Sequence, residues 1–283
     1  MIATARPYQD QRIALLTQHG KEGVIAPVLE PALGCRVERV AGYDTDRLGT
    51  FTREIPRAGT QIEAARQKAQ IGMTLAGLPV GLASEGSFGP DPYAGMCPWN
   101  VEVLIWIDTT RAIEVVGVAE DRAVFSHLLT AEWATAEAFA QQCEFPAQQL
   151  VVRPAAADDP RLRKDIRDWP TLADAFDWAL AQATNRRVFI ETDGRAHANP
   201  MRRGVIRRAA ENLAEKLNSL CPACGSPGFW VVDRVSGLPC ADCGAPTRET
   251  RAEILGCPKC AQRIENPSGR QHAEPGRCDS CNP

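Results

Sequence analysis

Residues 59–89, GTQIEAARQKAQIGMTLAGLPVGLASEGSFG, pass from one periodicity into another. Ile62, Ala65, Ala69 and Met73 recur at helical spacing, which sets them along one face. Thr60 stands before this run and Glu63 three residues on, the pattern of a capping box. Pro79 to Ala83 then read as a strand, and an acid, Glu85, follows directly, hemmed by Ser84 and Gly86. A helix running straight into a strand points to an α/β chain, and a carboxylate at a strand end is held rigidly. The small neighbours are expected to let a ligand approach the backbone of Glu85 closely.

The same alternation extends from residue 12 to 220. RIALLT (12–17) reads as a strand, 21–32 as a helix ending near Gly34, and RVERVA (36–41) as a second strand before a polar loop. VEVLIWI (101–107) and IEVVGV (113–118) form a predicted hairpin across DTTR. A long helical region around 121–142, a strand at QLVVR, a helix over 171–184, the strand RVFIET (187–192) and a helix over 204–218 complete the pattern. It predicts an α/β fold with one mixed central sheet flanked by helices.

With 283 residues and 44% hydrophobic composition, the chain is long enough for one sizeable core plus an appendage. Two units are expected, an α/β phosphate-binding domain over 1–219 and a cysteine-rich domain over 220–283. The net charge of -3 supplies no broad positive field for nucleic acid or anionic membrane. No export signal and no membrane-length apolar run is read, so a cytoplasmic location is expected. Eight of the eleven cysteines fall in four CxxC pairs after residue 220, which is metal rather than disulfide spacing. Cys35, Cys97 and Cys143 read as ordinary small thiols.

Strand ends and loops are where α/β sheets bind ligands. Three acid-bearing loops lie there: Asp44 and Asp46, Glu85, and Asp193 within ETDGRAH (191–197). Carboxylates gathered from separate segments repel unless a cation lies between them, and hard oxygen donors suit magnesium or manganese. Lys21, Lys68, Arg195, Arg202 and Arg203 supply positive charge, and His19 and His197 lie in the neighbouring loops. Arginines at a helix start form a natural phosphate site. Arg207 and Arg208 fit the solvent face of a helix that buries Val205, Ala209, Leu213 and Leu217.

In order, LLTQHGKE (15–22), GTQIEAARQKA (59–69) and GLPVGLASEGSFG (77–89) resemble the inosine triphosphate pyrophosphatase family of nucleotide hydrolases. That resemblance implies a metal ligand at Glu63, phosphate contacts at Lys21 and Lys68, and a ligand or water-activating base at Glu85. It also implies substrate contacts at His197 and at Arg202 or Arg203. His19 stands where that family has asparagine, and Ala64 where it has a helix asparagine. DTDRLGTF, ASEGSFGP, ETDGRAHANP and the terminal CDSCNP together resemble a bacterial family known as a domain of unknown function, over almost the whole chain.

Cys221, Cys224, Cys240 and Cys243 form CxxC, fifteen residues, CxxC, and Cys257, Cys260, Cys278 and Cys281 repeat this with seventeen. Both spacings suit a four-thiolate zinc site, so about two structural zinc ions are expected in a double zinc ribbon. The second and third pairs sharing one ion, with the outer pairs sharing the other, is the alternative. Two functions follow. One is a magnesium- or manganese-dependent hydrolase or pyrophosphatase of a nucleotide or related phosphorylated small molecule, with Glu63, Glu85 and Asp193 as its acids. The other is a non-catalytic adaptor whose zinc tail meets nucleic acid or protein.

Overall fold

The computed structural model describes residues 6–18, 20–45, 59–123 and 125–283. Its first half follows from the alternation in the sequence. β1 (Arg12–Leu16), α1 (Glu22–Leu33), β2 (Arg36–Val40), α2 (Gln61–Ala76), β3 (Val80–Pro90), β4 (Pro98–Asp108) and β5 (Ile113–Arg122) form a mixed sheet of order β2-β1-β3-β4-β5. β1 runs parallel to β2 and β3, while β3, β4 and β5 are antiparallel. The helices are where the periodicity predicts, and the Thr60–Glu63 capping box is formed.

Strand alternation divides the sheet's side chains between two faces. Ile13, Leu15, Leu82, Leu104 and Trp106 pack beneath α1 and α5 (Pro200–Asn218), together with Ile25, Leu29, Ile206 and Leu213. On the other face Ala83, Val103 and Ile105 meet Ala65 and Ala69 of α2. Helices on both faces leave the strands almost continuously apolar, which is why RIALL and VLIW read as runs rather than as alternation.

The single-sheet expectation needs correction. β6 (His127–Thr130), α3 (Trp133–Gln142), β7 (Leu150–Pro154), β8 (Arg163–Ile166), α4 (Trp169–Gln182) and β9 (Val188–Thr192) build a second sheet, order β6-β9-β7-β8, with every neighbouring pair antiparallel. β6 and β7 are therefore parallel with β9 between them. Its apolar core, including Leu150, Leu172, Phe176 and Ile190, shares no residue with the core beneath α5. The long helix expected around 121–142 is instead the end of β5, the strand β6 and the short α3. β4 extends to Pro98 and pairs with β5 as far as Arg122, which holds those residues in the sheet. β8 escapes the sequence because it has four residues and buries only Ile166.

The tail forms an antiparallel meander of β10 (Trp230–Ser236), β11 (Thr250–Gly256) and β12 (Arg263–Pro267). It is fastened to the end of α5 and to β5. Ser219 Oγ donates to Phe229 O at 2.6 Å and Gly228 N–H donates to Lys216 O, while Lys216 Nζ, donating to Val116 O at 2.7 Å, ties that end of α5 to β5. A Cβ on Gly228 would lie 2.7 Å from Val115, so the tail backbone rests directly on the sheet. Among the described residues no helix is long and apolar enough to cross a membrane.

Leu213→Ala and Leu172→Ala should each cost about 2–5 kcal/mol by opening a cavity. Because the two residues sit in separate cores, the double variant's loss in chemical denaturation should equal the sum to within about 0.5 kcal/mol. A larger departure from additivity would mean that the two cores are coupled.

Candidate functional site

Three helix starts converge on the second half of β3 and its partner β4. The loop after β1 delivers Lys21 to the start of α1, Gln61 lies in the first turn of α2, and Arg202 in the first turn of α5. Each reaches the same short stretch of strand.

On the α2 face, Lys68 pairs with Glu85 through Nζ and Oε1, and both side chains are largely shielded from water. Gln61 lies two turns earlier on the same helix stripe. Its Nε2 donates to Glu85 O at 2.8 Å and to Val101 O at 2.9 Å, and its Oε1 accepts from Ser87 Oγ at 3.0 Å. Glu63 is turned away. Its carboxylate accepts from the N–H of Thr60 at 2.7 Å and from the Thr60 hydroxyl at 2.9 Å, and the residue is exposed. Contact with the Thr60 backbone and hydroxyl holds that carboxyl below its ordinary range. Glu63 therefore caps a helix, whereas Glu85 faces a lysine.

The opposite face carries a second ion pair. Arg202 Nε donates to Glu102 Oε1 at 2.6 Å, and Nη1 donates to Gly194 O at 2.8 Å, with the Arg202 and Glu102 side chains only 1% and 0% exposed. Asn100 Nδ2 also donates to Glu102 Oε1, at 3.1 Å. Gly86 is opposite Glu102 in the β3–β4 register. A Cβ there would lie 2.2 Å from Glu102 Oε1 and 2.4 Å from Arg202 Nη2. The absent side chain thus makes room for an internal ion pair, which corrects the expectation that Gly86 is small for a ligand's sake.

Lys21 completes the group. Its residue is 7% exposed, and its Nζ donates to Ser84 O at 2.9 Å and Ser84 Oγ at 3.3 Å. Burial, then the neighbouring Arg202 charge, lowers its pKa to about 7, partly offset by Glu102 and Glu85. The charged groups acting on it are Arg202, Lys68, Glu102 and Glu85. With Lys21 protonated, three cations stand against two carboxylates among the described residues of this group.

The remaining predicted residues form a separate cluster after β9. Asp193, fully buried, accepts from Arg195 through the backbone N–H at 2.9 Å and Nη2 at 2.6 Å. Arg195 Nη2 also meets Asp165 Oδ1 at 3.0 Å, and His197 Nε2 lies 3.3 Å from the same oxygen. Burial works against the Asp165 charge, but the Arg195 guanidinium outweighs it and keeps the carboxyl below its usual range. Arg203 lies exposed on α5. His19 and Asp46 lie outside the described residues. Among the described residues, the groups of three or more His, Cys, Asp or Glu ligand atoms within 4.8 Å of one another are two cysteine groups. Glu63, Glu85 and Asp193 are thus not drawn together into a carboxylate cage; each is committed to a different local partner.

Those cysteine groups are Cys221, Cys224, Cys257 and Cys260, and Cys240, Cys243, Cys278 and Cys281. The first CxxC pair joins the third and the second joins the fourth, so both pairings read from spacing need correction. The meander gives the reason. β10 carries the chain from the first knuckle to the second, β11 returns it with Gly256 opposite Trp230, and β12 carries it out again. Cys257 therefore arrives beside Cys221 and Cys224, and Cys278 beside Cys240 and Cys243. Sulfur pairs stand 3.7 and 3.6 Å apart in one group and 3.8 and 3.6 Å in the other. Zinc–thiolate bonds of about 2.3 Å in a tetrahedron require edges of about 3.8 Å. The residues present thus fit two zinc ions, with four thiolates closing each shell as in structural sites.

Sequence reasoning missed Glu102, Ser84, Asn100 and Gln61. Glu102 carried one signal, an acid inside the apolar strand VEVLIWI; its partner lies 100 positions away and is invisible to local pattern.

Native mass spectrometry should count two zinc ions per chain and one in the double variant Cys221→Ser/Cys257→Ser, because both changes fall in one centre. Either pairing of the motifs inferred from spacing would place these cysteines in different centres and leave no intact one.

Comparison with known proteins adds a family. A model of the family described as a domain of unknown function, DUF6671, matches residues 68–283. No curated protein matches the chain, and the resemblance to inosine triphosphate pyrophosphatases gains no support. The matched region holds Lys68, Glu85, Glu102, Arg202 and all eight clustered cysteines, and begins beyond Lys21 and Gln61. Since the match spans well over half of its residues, the chain belongs to the DUF6671 family.

Proposed function

We propose that the chain binds a phosphorylated small molecule at the edge of the five-stranded sheet where α1, α2 and α5 begin, with the Lys21 ammonium as the anion's principal partner. The observation that carries this reading is the buried position of the Lys21 ammonium on uncharged acceptors. Lys21 is withdrawn from water, yet its hydrogen bonds among the described residues go to the neutral Ser84 carbonyl and hydroxyl. Burying an ammonium that bonds no carboxylate among the described residues is costly, and the lowered pKa is in the direction of that cost. A bound anion supplies the missing charge, and the start of α1 adds its own favourable dipole. Gly20 beside it is exposed, and a Cβ there would meet none of the described residues within 4 Å. The zinc tail is structural in this reading.

Hydrolysis is the catalytic form of the proposal. There, the phosphates would bring their own divalent ion, and Glu85 would activate water once Lys68 released its carboxylate. A panel of nucleoside triphosphates with magnesium, scored for phosphate release beside Glu85→Gln, decides it; no release above the variant leaves a binding protein.

Anion binding itself has a pH signature. Protonated Lys21 is the binding form, so sulfate, whose charge is constant over the range, should stabilise the protein at pH 6 and progressively less above pH 7. In Lys21→Met that stabilisation should vanish. The ligand-free protein gives a second readout. A folded-state pKa of about 7 against an ordinary lysine value of about 10.4 means that the unfolded chain holds more protons between them. The contribution of Lys21 to stability therefore rises with pH through that window, and Lys21→Met should flatten the rise. Equal sulfate stabilisation of wild type and variant at pH 6 would overturn the proposal.

A further inference from the structure

We infer that the groove beside Phe88 binds a planar aromatic ring carried by the same anionic ligand, so that the ligand class is an anion bearing an aromatic ring, such as a nucleotide. This inference rests on the anion site proposed above. Alternation puts Ser84, Gly86 and Phe88 on one face of β3, and Ser84 and Phe88 stand about 13 Å apart along the strand. Lys21 sits at the first of these positions and the Glu102–Arg202 pair at the second. At the third, the Arg202 guanidinium lies 5.9 Å from the Phe88 ring centre.

Phe88 is also a wall of an apolar groove of about 410 Å³, completed by Pro90, Met96, Cys97, Pro98 and Phe125. The Phe88 and Phe125 rings are 5.5 Å apart at a tilt of 53°, an aromatic pair on one side of the groove. The opposite wall is built to stay in place. The Asp91 carboxylate accepts four backbone N–H groups, those of Tyr93 at 3.1 Å, Ala94 at 2.7 Å, Met96 at 2.7 Å and Cys97 at 2.8 Å. These bonds hold its carboxyl far below the usual range. The loop therefore presents Met96, 84% exposed, in a fixed position rather than letting it fold inward.

Apolar surface held open in this way gains free energy when a flat ring covers it. Phe88 thus joins the charged cluster to the groove, and the two halves suit the two ends of one molecule.

The test compares tripolyphosphate, adenosine and adenosine triphosphate by calorimetry at pH 6 without divalent metal, on wild type, Phe125→Ala and Lys21→Met. Phe125 is 38% exposed, so its truncation leaves the core intact. We expect adenosine triphosphate to bind wild type at least tenfold more tightly than tripolyphosphate. Phe125→Ala should weaken the nucleotide by about tenfold, within the range for loss of one stacked ring, and leave tripolyphosphate unchanged. If tripolyphosphate binds through Lys21 but the ring adds nothing, or Phe125→Ala has no effect, the groove inference fails and the anion site stands. If adenosine binds in a Phe125-dependent way while tripolyphosphate does not bind, the anion site fails and the groove stands. If none of the three binds, both are overturned.

Discussion

The ion pair between Arg202 and Glu102 joins three parts of the chain that nothing in local sequence connects. Glu102 belongs to the middle of the five-stranded sheet, Arg202 to the first turn of the last core helix, and Gly194, whose carbonyl Arg202 also bonds, to the loop leaving the second sheet. Both charges are out of water, and removal of either partner from such a pair costs about 3–5 kcal/mol because the other is left uncompensated. The pair dictates glycine at position 86, and burial, followed by the pair's guanidinium, depresses the proton affinity of Lys21. Both ion pairs of the group are internally balanced, so among the described residues its net positive charge is that of Lys21 itself.

What was legible in the sequence was what short-range physics controls. The helix over 61–76 with its Thr60–Glu63 cap, the glycine stop at Gly34 and the hairpin across DTTR all follow from spacing and turn chemistry. The division of strands between two sheets was not legible. It is set by pairings such as β6 with β9 and β7 with β9, whose partners are separated by long stretches of chain. The site was half legible for the same reason. Lys21 and Arg202 stand out as charges at helix starts, whereas Glu85, read as a strand end, lies in the middle of β3, and the distribution of these charges over two faces of that strand, with the internal destinations of Glu63 and Asp193, depends on packing.

The cysteines show the same limit in a sharper form. Spacing identifies four-thiolate zinc chemistry, since CxxC knuckles at these intervals suit little else. It does not say which knuckles meet, because the strands between them decide that. A three-stranded meander brings alternate knuckles to the same end, and the two centres interleave. The first centre lies beside Gly228 and Pro258, against Val115 of the large sheet. Metal bound in that centre would therefore brace the tail against the body, and metal in the second would hold together the far end of the meander.

The central claim is that the Lys21 ammonium is buried in a surplus of positive charge that an anion relieves. Direct titration of the Lys21 side chain by carbon-13 NMR, with and without sulfate, tests it most closely. The account predicts a midpoint near pH 7 in the free protein that moves upward when sulfate is present. A midpoint near the ordinary lysine value of about 10.4, unmoved by the anion, would contradict it.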